Sequence, residues 1–203
     1  MPICNSVGRP GYNPAVPPPL HPLGLHIVLW EPEIPPNTGN IARTCACTGC
    51  RLHLVGPLGF QMRNPHARRA GLDYWSLVEW KRWTSMEELW AAYPSVKFPL
   101  QTDEWNDPAR PKTAWFYSTK GKLLPWRAPV RSGDFLVFGP ETRGLSDEML
   151  EAAKDHVVAF PQIEGTRSLN VSNAVAAAVY VHLAMLKTKS LGKELDSQER
   201  GTI

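Results

Sequence analysis

The chain has 203 residues and a mass of 22.7 kDa, the size of one ordinary domain. Hydrophobic residues make up 43% of it and charged residues 20%, a composition that excludes a wholly disordered protein. Its longest apolar stretch, 174–186, is shorter than the ~20 residues that cross a bilayer, so we expect no membrane span. The formal net charge of +3 favours an anionic partner without identifying one.

Four cysteines, at positions 4, 45, 47 and 50, raise the question of a metal site. The last three fall in a predicted helix, where their spacing does not bring all of them to one face. No second pair of metal ligands follows at a suitable spacing. We therefore expect no metal and reduced thiols, as in a cytoplasmic protein, and no signal peptide is recognisable at the start.

The two ends of the chain differ in composition from its middle. Residues 1–24 contain seven prolines and no acidic residue, which predicts an extended, poorly ordered arm. Residues 188–203 are polar, and we expect them to form a tail that frays. The domain itself is predicted to span residues 25–187.

Short apolar strands alternate with helices through this domain. Taken in chain order, strands are predicted at 25–30, 51–55, 77–80, 113–118, 135–138 and 156–160. Helices are predicted at 38–49, 85–93 and 170–187, and residues 99–112 are predicted to be a loop insertion. This alternation indicates an α/β protein with a mostly parallel sheet and helices on both faces.

The common cofactor motifs are missing from the chain. No G-x-G-x-x-G fingerprint follows a strand, and neither a G-x4-G-K-[ST] loop nor a G-x-S-x-G elbow occurs. Three polar, glycine-containing segments instead follow predicted strands, where parallel α/β sheets form their ligand crevice. A ligand site built from these three segments is therefore expected.

The first segment, 36–43, reads P-N-T-G-N-I-A-R. Asn37 or Thr38 can cap the helix that follows, but capping does not explain Asn40 and Arg43 near the same helix start. Because the N-terminal end of a helix disfavours a cation, Arg43 there indicates an anionic partner.

The second segment, 138–145, reads F-G-P-E-T-R-G-L, and the third ends in R-S-L-N-V-S-N-A at 167–174. Either could be a plain loop between a strand and a helix. However, Gly139 would let the backbone approach a flat ligand. The small residues that open the last helix suit either core packing or a tight subunit interface.

Together, and after the strand opening L-W-E-P-E-I-P-P, the three segments resemble the SPOUT class of S-adenosylmethionine-dependent RNA methyltransferases. Over residues 25–187 the chain is most similar to the small tRNA 2′-O-methyltransferases of the wobble nucleotide, position 34, a cytidine or modified uridine. R-R-A-G-L-D-Y at 68–74 also matches them. The resemblance implies a C-terminal trefoil knot, an obligate homodimer with its site at the subunit boundary, and binding of the tRNA anticodon stem-loop.

The same resemblance implies roles for individual residues. S-adenosylmethionine would lie in the knot, against Tyr117, Gly139, Phe160 and Ser168. Arg43 matches the family's catalytic arginine, and because a guanidinium rarely loses its proton, we expect it to stabilise the oxyanion and orient phosphate, with a base role left open. Further residues that would shape the site or contact RNA are Asn37, Asn40, Glu141, Arg143, Arg167, Asn170, Asn173, Arg68, Arg69 and Lys120.

Two alternatives stay open. One is a related methyltransferase for ribosomal RNA or another tRNA position, which the lack of an appended RNA-binding domain disfavours. The other is a catalytically silent RNA-binding knot protein, which an intact Arg43 and an intact 167–173 segment disfavour. Other side chains expected at an RNA surface are Arg63, His66, Lys122 and Arg127 for phosphates and Tyr74 and Trp75 for stacking.

Overall fold

A computed structural model describes residues 23–60 and 72–200 of the chain, with side chains described for 23–60 and 75–186. Several predicted features lie outside this part: residues 1–22 of the expected arm, the side chain of Tyr74, and Arg63, His66, Arg68 and Arg69.

The described strands form one six-stranded sheet in the order β3-β2-β1-β5-β4-β6. Their bounds are β1 His26–Trp30, β2 Arg51–Val55, β3 Trp80–Trp83, β4 Ala114–Tyr117, β5 Phe135–Phe138 and β6 Val157–Val158. Every neighbouring pair is parallel, so the carboxyl ends of all six strands meet at one edge. The predicted α/β class with a parallel sheet is confirmed.

Among the described residues, four α-helices cover the two faces of this sheet: α1 Pro35–Thr48, α2 Met86–Ala92, α3 Asp147–Ala153 and α4 Val171–Arg200. Successive residues of β1 point to opposite faces, as the strand geometry requires. Ile27 and Leu29 pack with Val175 of α4 in one core, whereas Val28 packs with Leu89 of α2 in the other. The prediction of helices on both faces of the sheet is confirmed.

Several element boundaries differ from the predicted ones. Helix α1 begins at Pro35 and not at residue 38, because proline fits the first turn of a helix, where its missing N–H would have no partner. Strand β3 lies later than the predicted 77–80, since Leu72–Leu77 forms a 3-10 helix. Strand β6 is shorter than the predicted 156–160, and α4 continues past residue 187 to Arg200.

The 99–112 insertion is anchored to the sheet by a buried ion pair. Arg110 Nη2 lies 2.6 Å from Asp134 Oδ2, and the two side chains are only 1% and 0% exposed. Arg110 also donates to the carbonyl oxygens of Trp105, Pro111 and Pro129. The Asp134 carboxylate accepts from Thr113 N, Arg131 N and Trp115 Nε1. A buried pair needs such additional hydrogen bonds to offset the loss of hydration.

Buried histidines form a second polar feature of the core. His53 Nδ1 accepts from Trp83 Nε1 at 3.0 Å, so the proton of His53 lies on Nε2, which donates to His26 Nδ1 at 2.8 Å. Burial lowers the pKa of His26 to about 4 and that of His53 to about 3. Burial likewise lowers the pKa of His182 to about 4 and lowers that of His156. All four imidazoles are therefore neutral at pH 7.

We expect the free energy of unfolding to fall as the pH drops from 6.5 towards 4. Unfolded histidines take up protons below about pH 6.5, whereas folded His26 and His182, with pKa values of about 4, and folded His53, with a pKa of about 3, stay neutral at pH 5, so protons favour the unfolded chain. Each such group removes about 2 kcal/mol between pH 7 and pH 5. Urea unfolding at a series of pH values measures this slope. His53→Gln is expected to flatten it, and an unchanged slope in that variant would contradict the assignment.

Candidate functional site

A cleft of about 460 Å³ opens at the carboxyl edge of the sheet. It is lined by the ends of β4, β5 and β6, by the loop 139–145 and by the first residues of α4. This is the position at which open parallel sheets bind ligands, and the volume lies within the roughly 300–1,000 Å³ of small-molecule sites.

Three aromatic rings from three strand ends form an apolar wall of this cleft. The Tyr117 ring stacks on Phe138 with centroids 4.7 Å apart and an angle of 18°, and it lies 5.8 Å from the Phe160 ring. All three residues line the cleft. Such a wall suits a flat heterocycle, because stacking buries apolar area on both partners.

The loop after β5 folds tightly back on itself beside this wall. A Cβ at Gly139 would lie 2.4 Å from the carbonyl carbon of Gly144 and from the nitrogen of Leu145. No side chain fits there, so glycine is required for the loop to close. Gly144 N donates to Pro140 O at 2.9 Å, and Gly144 has φ 70°, the left-handed region that favours glycine. Backbone polar groups therefore lie next to the aromatic rings.

One side chain, Asn37, joins all three of the predicted segments. Asn37 Nδ2 donates to Glu141 Oε1 at 3.0 Å, and Asn37 Oδ1 accepts from Asn170 Nδ2 at 2.9 Å. The expectation that Asn37 or Thr38 caps α1 is wrong, because the N-cap position is Ile34 and the helix starts before both residues. Asn37 is buried in the first turn and faces the other two segments instead.

The backbone immediately before α1 is bound by a side chain from a distant loop. Glu141 Oε2 accepts from Glu33 N at 2.9 Å, and Glu141 Oε1 accepts from Ile34 N at 3.3 Å. A carboxylate at this end of a helix is favoured by the helix dipole. Glu141 therefore fixes α1 relative to the cleft.

Two acidic residues of this network, Glu31 and Glu33, were missed by the sequence analysis. Glu33 accepts from Thr142 N at 3.0 Å and from Thr142 Oγ1 at 2.9 Å. Arg143 forms ion pairs with both carboxylates, and its guanidinium lies over the Trp30 ring. The sequence does contain a signal for these contacts, because the E-P-E that follows β1 offers carboxylates to the E-T-R of the second segment.

The structure places most of the predicted cofactor and site residues at the cleft. Residues of the prediction that line it are Tyr117, Gly139, Phe160, Ser168, Asn37, Glu141, Arg143, Asn170 and Lys120. Lys120 Nζ also lies 2.5 Å from Asp147 Oδ1 in an exposed ion pair.

Four other predicted residues are exposed and do not line the cleft. Asn40 and Arg43 lie on α1, three residues apart and hence on one face of the helix. Arg167 precedes α4 and Asn173 lies in its first turn.

Within residues 23–60 and 72–200, no group of three or more His, Cys, Asp or Glu side chains is placed to hold a metal ion. In the same ranges, no helix has the length and the apolar character that a membrane crossing requires.

Comparison with known proteins identifies the family. The SpoU rRNA Methylase family matches residues 24–180, and the chain belongs to this family. The tRNA (cytidine(34)-2′-O)-methyltransferase of Saccharophagus degradans is 46% identical over 157 residues, which cover 77% of this chain and 92% of that protein.

Solved structures agree with this assignment. A structure that gives insights into the 2-OH methylation of C/U34 on tRNA matches with a TM-score of 0.69 and 36% identity, covering 81% of this chain and 97% of the other. The SpoU methyltransferase AviRb of Streptomyces viridochromogenes, in complex with AdoMet, matches with a TM-score of 0.64 and 20% identity, over 84% of this chain and 63% of that one, and this likeness shows the fold alone. The methyltransferase class predicted from the three segments is confirmed, whereas the trefoil knot stays a prediction.

Proposed function

We propose that this chain transfers a methyl group from S-adenosylmethionine to the ribose 2′-OH of nucleotide 34, cytidine or modified uridine, in tRNA. The observation that carries this function is the convergence of three segments on Asn37 around a cleft at the strand ends. The 46% identity to a tRNA (cytidine(34)-2′-O)-methyltransferase supports the substrate.

The residues of the cleft fit S-adenosylmethionine. The rings of Tyr117, Phe138 and Phe160 offer a wall for its adenine, and the turn at Gly139 brings backbone donors and acceptors to the base edge. Ser168, at the rim, adds a hydroxyl. The cofactor supplies an electrophilic sulfonium methyl, and the chain supplies position and electrostatics.

Arg43 is proposed to act on the RNA side of the reaction. A ribose 2′-hydroxyl is a poor nucleophile, and its oxygen gains negative charge as the proton leaves. A guanidinium has up to five N–H donors and keeps its charge, so it stabilises that oxygen and the neighbouring phosphate. Lys120 at the cleft and the exposed Lys122 and Arg127 are proposed to bind phosphates of the anticodon stem-loop.

We also propose a homodimer, a C-terminal trefoil knot within a domain spanning 25–187, and a cytoplasmic location. Ile34, Leu169 and Tyr180 are 41%, 46% and 52% exposed, and the first two lie at the cleft, where a second copy would cover them.

The proposed knot is supported by the Asn170–Asn37 contact, which brings the start of α4 beside α1. Cys45, Cys47 and Cys50 are free thiols, which suits a reducing compartment.

The test is methyl transfer to a defined substrate. Purified protein is incubated with methyl-labelled S-adenosylmethionine and tRNA from cells that lack wobble 2′-O-methylation, and the labelled nucleotide is mapped. Label on the ribose of nucleotide 34 is the expected result. Label at another nucleotide would overturn the assignment of nucleotide 34. Binding of the cofactor without any label on the RNA would overturn the assignment of tRNA as the substrate.

Gly139→Ala is expected to weaken S-adenosylmethionine binding more than tenfold. The added Cβ meets backbone atoms at 2.4 Å, so the loop 139–145 has to shift and the cleft changes shape. Calorimetric titration with the cofactor measures the effect. Gly165→Ala is the control, because Gly165 has φ 80° and its replacement strains the backbone, yet the added Cβ would have no atom within 4 Å. Equal losses in both variants would contradict the steric explanation.

A further inference from the structure

A buried pair of polar side chains lies behind the aromatic wall. The Tyr117 hydroxyl oxygen lies 2.7 Å from Nε2 of His182 on α4. The two residues are 7% and 1% exposed, so no bulk water competes for this hydrogen bond. Burial lowers the pKa of His182 to about 4 and raises that of Tyr117, and both groups are therefore neutral.

Helix α4 is connected to the cleft at two points, and the pair forms one of them. Val171 and Ala174, at the start of α4, line the cleft directly. His182, two turns further along the same helix, reaches the cleft through Tyr117. Tyr117 is the only one of the three wall rings with a polar atom, so it is the ring that a hydrogen bond can hold in one orientation.

The Tyr117–His182 pair is not explained by a contribution to the stability of the folded chain. His182 Nδ1 is buried and has no hydrogen-bond partner among the described residues. A buried polar atom without a partner costs free energy, and replacing two paired polar groups by apolar ones of similar shape is often neutral. A leucine at position 182 together with a phenylalanine at position 117 would avoid that cost, so the pair contributes through the hydrogen bond between His182 Nε2 and the Tyr117 hydroxyl.

We propose that His182 is a positioning residue that fixes the Tyr117 ring through its hydroxyl and so sets the shape of the cofactor side of the cleft. The inference rests on the proposed binding of S-adenosylmethionine in this cleft. A free Tyr117 ring would still be apolar but would occupy several orientations, and ordering it on binding would weaken affinity.

Cofactor titrations of three variants test the proposal. In His182→Leu and in Tyr117→Phe the dissociation constant of S-adenosylmethionine is expected to rise about tenfold, and the KM for the cofactor to rise by more than kcat falls. The double variant is expected to bind no more weakly than either single one, because both remove the same hydrogen bond. His182→Gln, which keeps a polar group in reach, is expected to recover most of the affinity.

His156→Gln is the matched control. His156 is another buried histidine, bonded to Leu100 N at 2.9 Å and to Ala114 O at 2.9 Å, at the opposite end of β4. Its replacement is expected to lower the melting temperature and leave cofactor affinity unchanged. Wild-type affinity in both His182→Leu and Tyr117→Phe, or additive losses in the double variant, would overturn the inference alone. A wild-type protein that does not bind S-adenosylmethionine would overturn the proposed function as well.

Discussion

Replacing Arg43 by alanine is expected to slow methyl transfer at least a hundredfold while the affinity for S-adenosylmethionine stays unchanged. Arg43 is exposed on α1 and does not line the cleft, so the variant leaves the lining of the cleft unchanged. Removing one donor that stabilises a developing oxyanion costs about 10²–10³ in kcat in other enzymes. Single-turnover transfer to tRNA and calorimetric titration of the cofactor measure the two effects separately.

Two further variants sharpen this experiment. Arg43→Lys keeps the charge but loses the planar pair of donors, and we expect it to recover only a small part of the rate. Cys47→Ala changes another exposed residue of α1, one turn away, and is expected to retain full activity. Loss of cofactor binding in Arg43→Ala would show that the arginine supports the cleft and does not act on the ribose.

Asp134→Ala is expected to lower the free energy of unfolding by about 3–5 kcal/mol, because it leaves the charge of Arg110 buried without a counter-ion. The double variant Arg110→Met/Asp134→Asn removes both charges and keeps an acceptor oxygen for the N–H groups that bind Asp134, so it is expected to recover most of the loss. Urea unfolding at pH 7 measures all three proteins.

An exposed ion pair of the same sheet provides the comparison. Arg51 Nε lies 2.8 Å from Glu79 Oε2, with side chains 45% and 70% exposed. Glu79→Ala is expected to cost less than about 1 kcal/mol, since water already screens this pair. A loss in Asp134→Ala no larger than in Glu79→Ala would mean that the buried pair does not anchor the insertion.

The parts of the fold that could be predicted are those that local sequence determines. The apolar runs of β1, β2 and β5 are bounded by turn residues, and their alternation with helices leads directly to a parallel sheet. Strand β3, at the sheet edge, lacks this signal, because three of its four residues, W-K-R-W, are exposed. Helix α3 went unpredicted although Ser146 caps it and two acidic residues occupy its first turn.

The candidate site shows the same division between local and distant determinants. The three segments stood out because their residue types are unusual for plain turns. The role of Asn37 could not be predicted, because an asparagine near a helix start is most simply interpreted as a cap. Its actual partners, Glu141 and Asn170, lie far away in the sequence. Glu33 and the Arg110–Asp134 pair were missed for the same reason, because their partners are far away in sequence.

The Asn37 network has a consequence for the timing of activity in the cell. Its two partners lie 104 and 133 residues further along the chain, and Asn170 stands at the beginning of the last helix. During synthesis the N-terminal half leaves the ribosome long before these partners exist. A nascent chain therefore has no complete cleft, and the capacity to modify RNA begins only when the final helix has been made and docked.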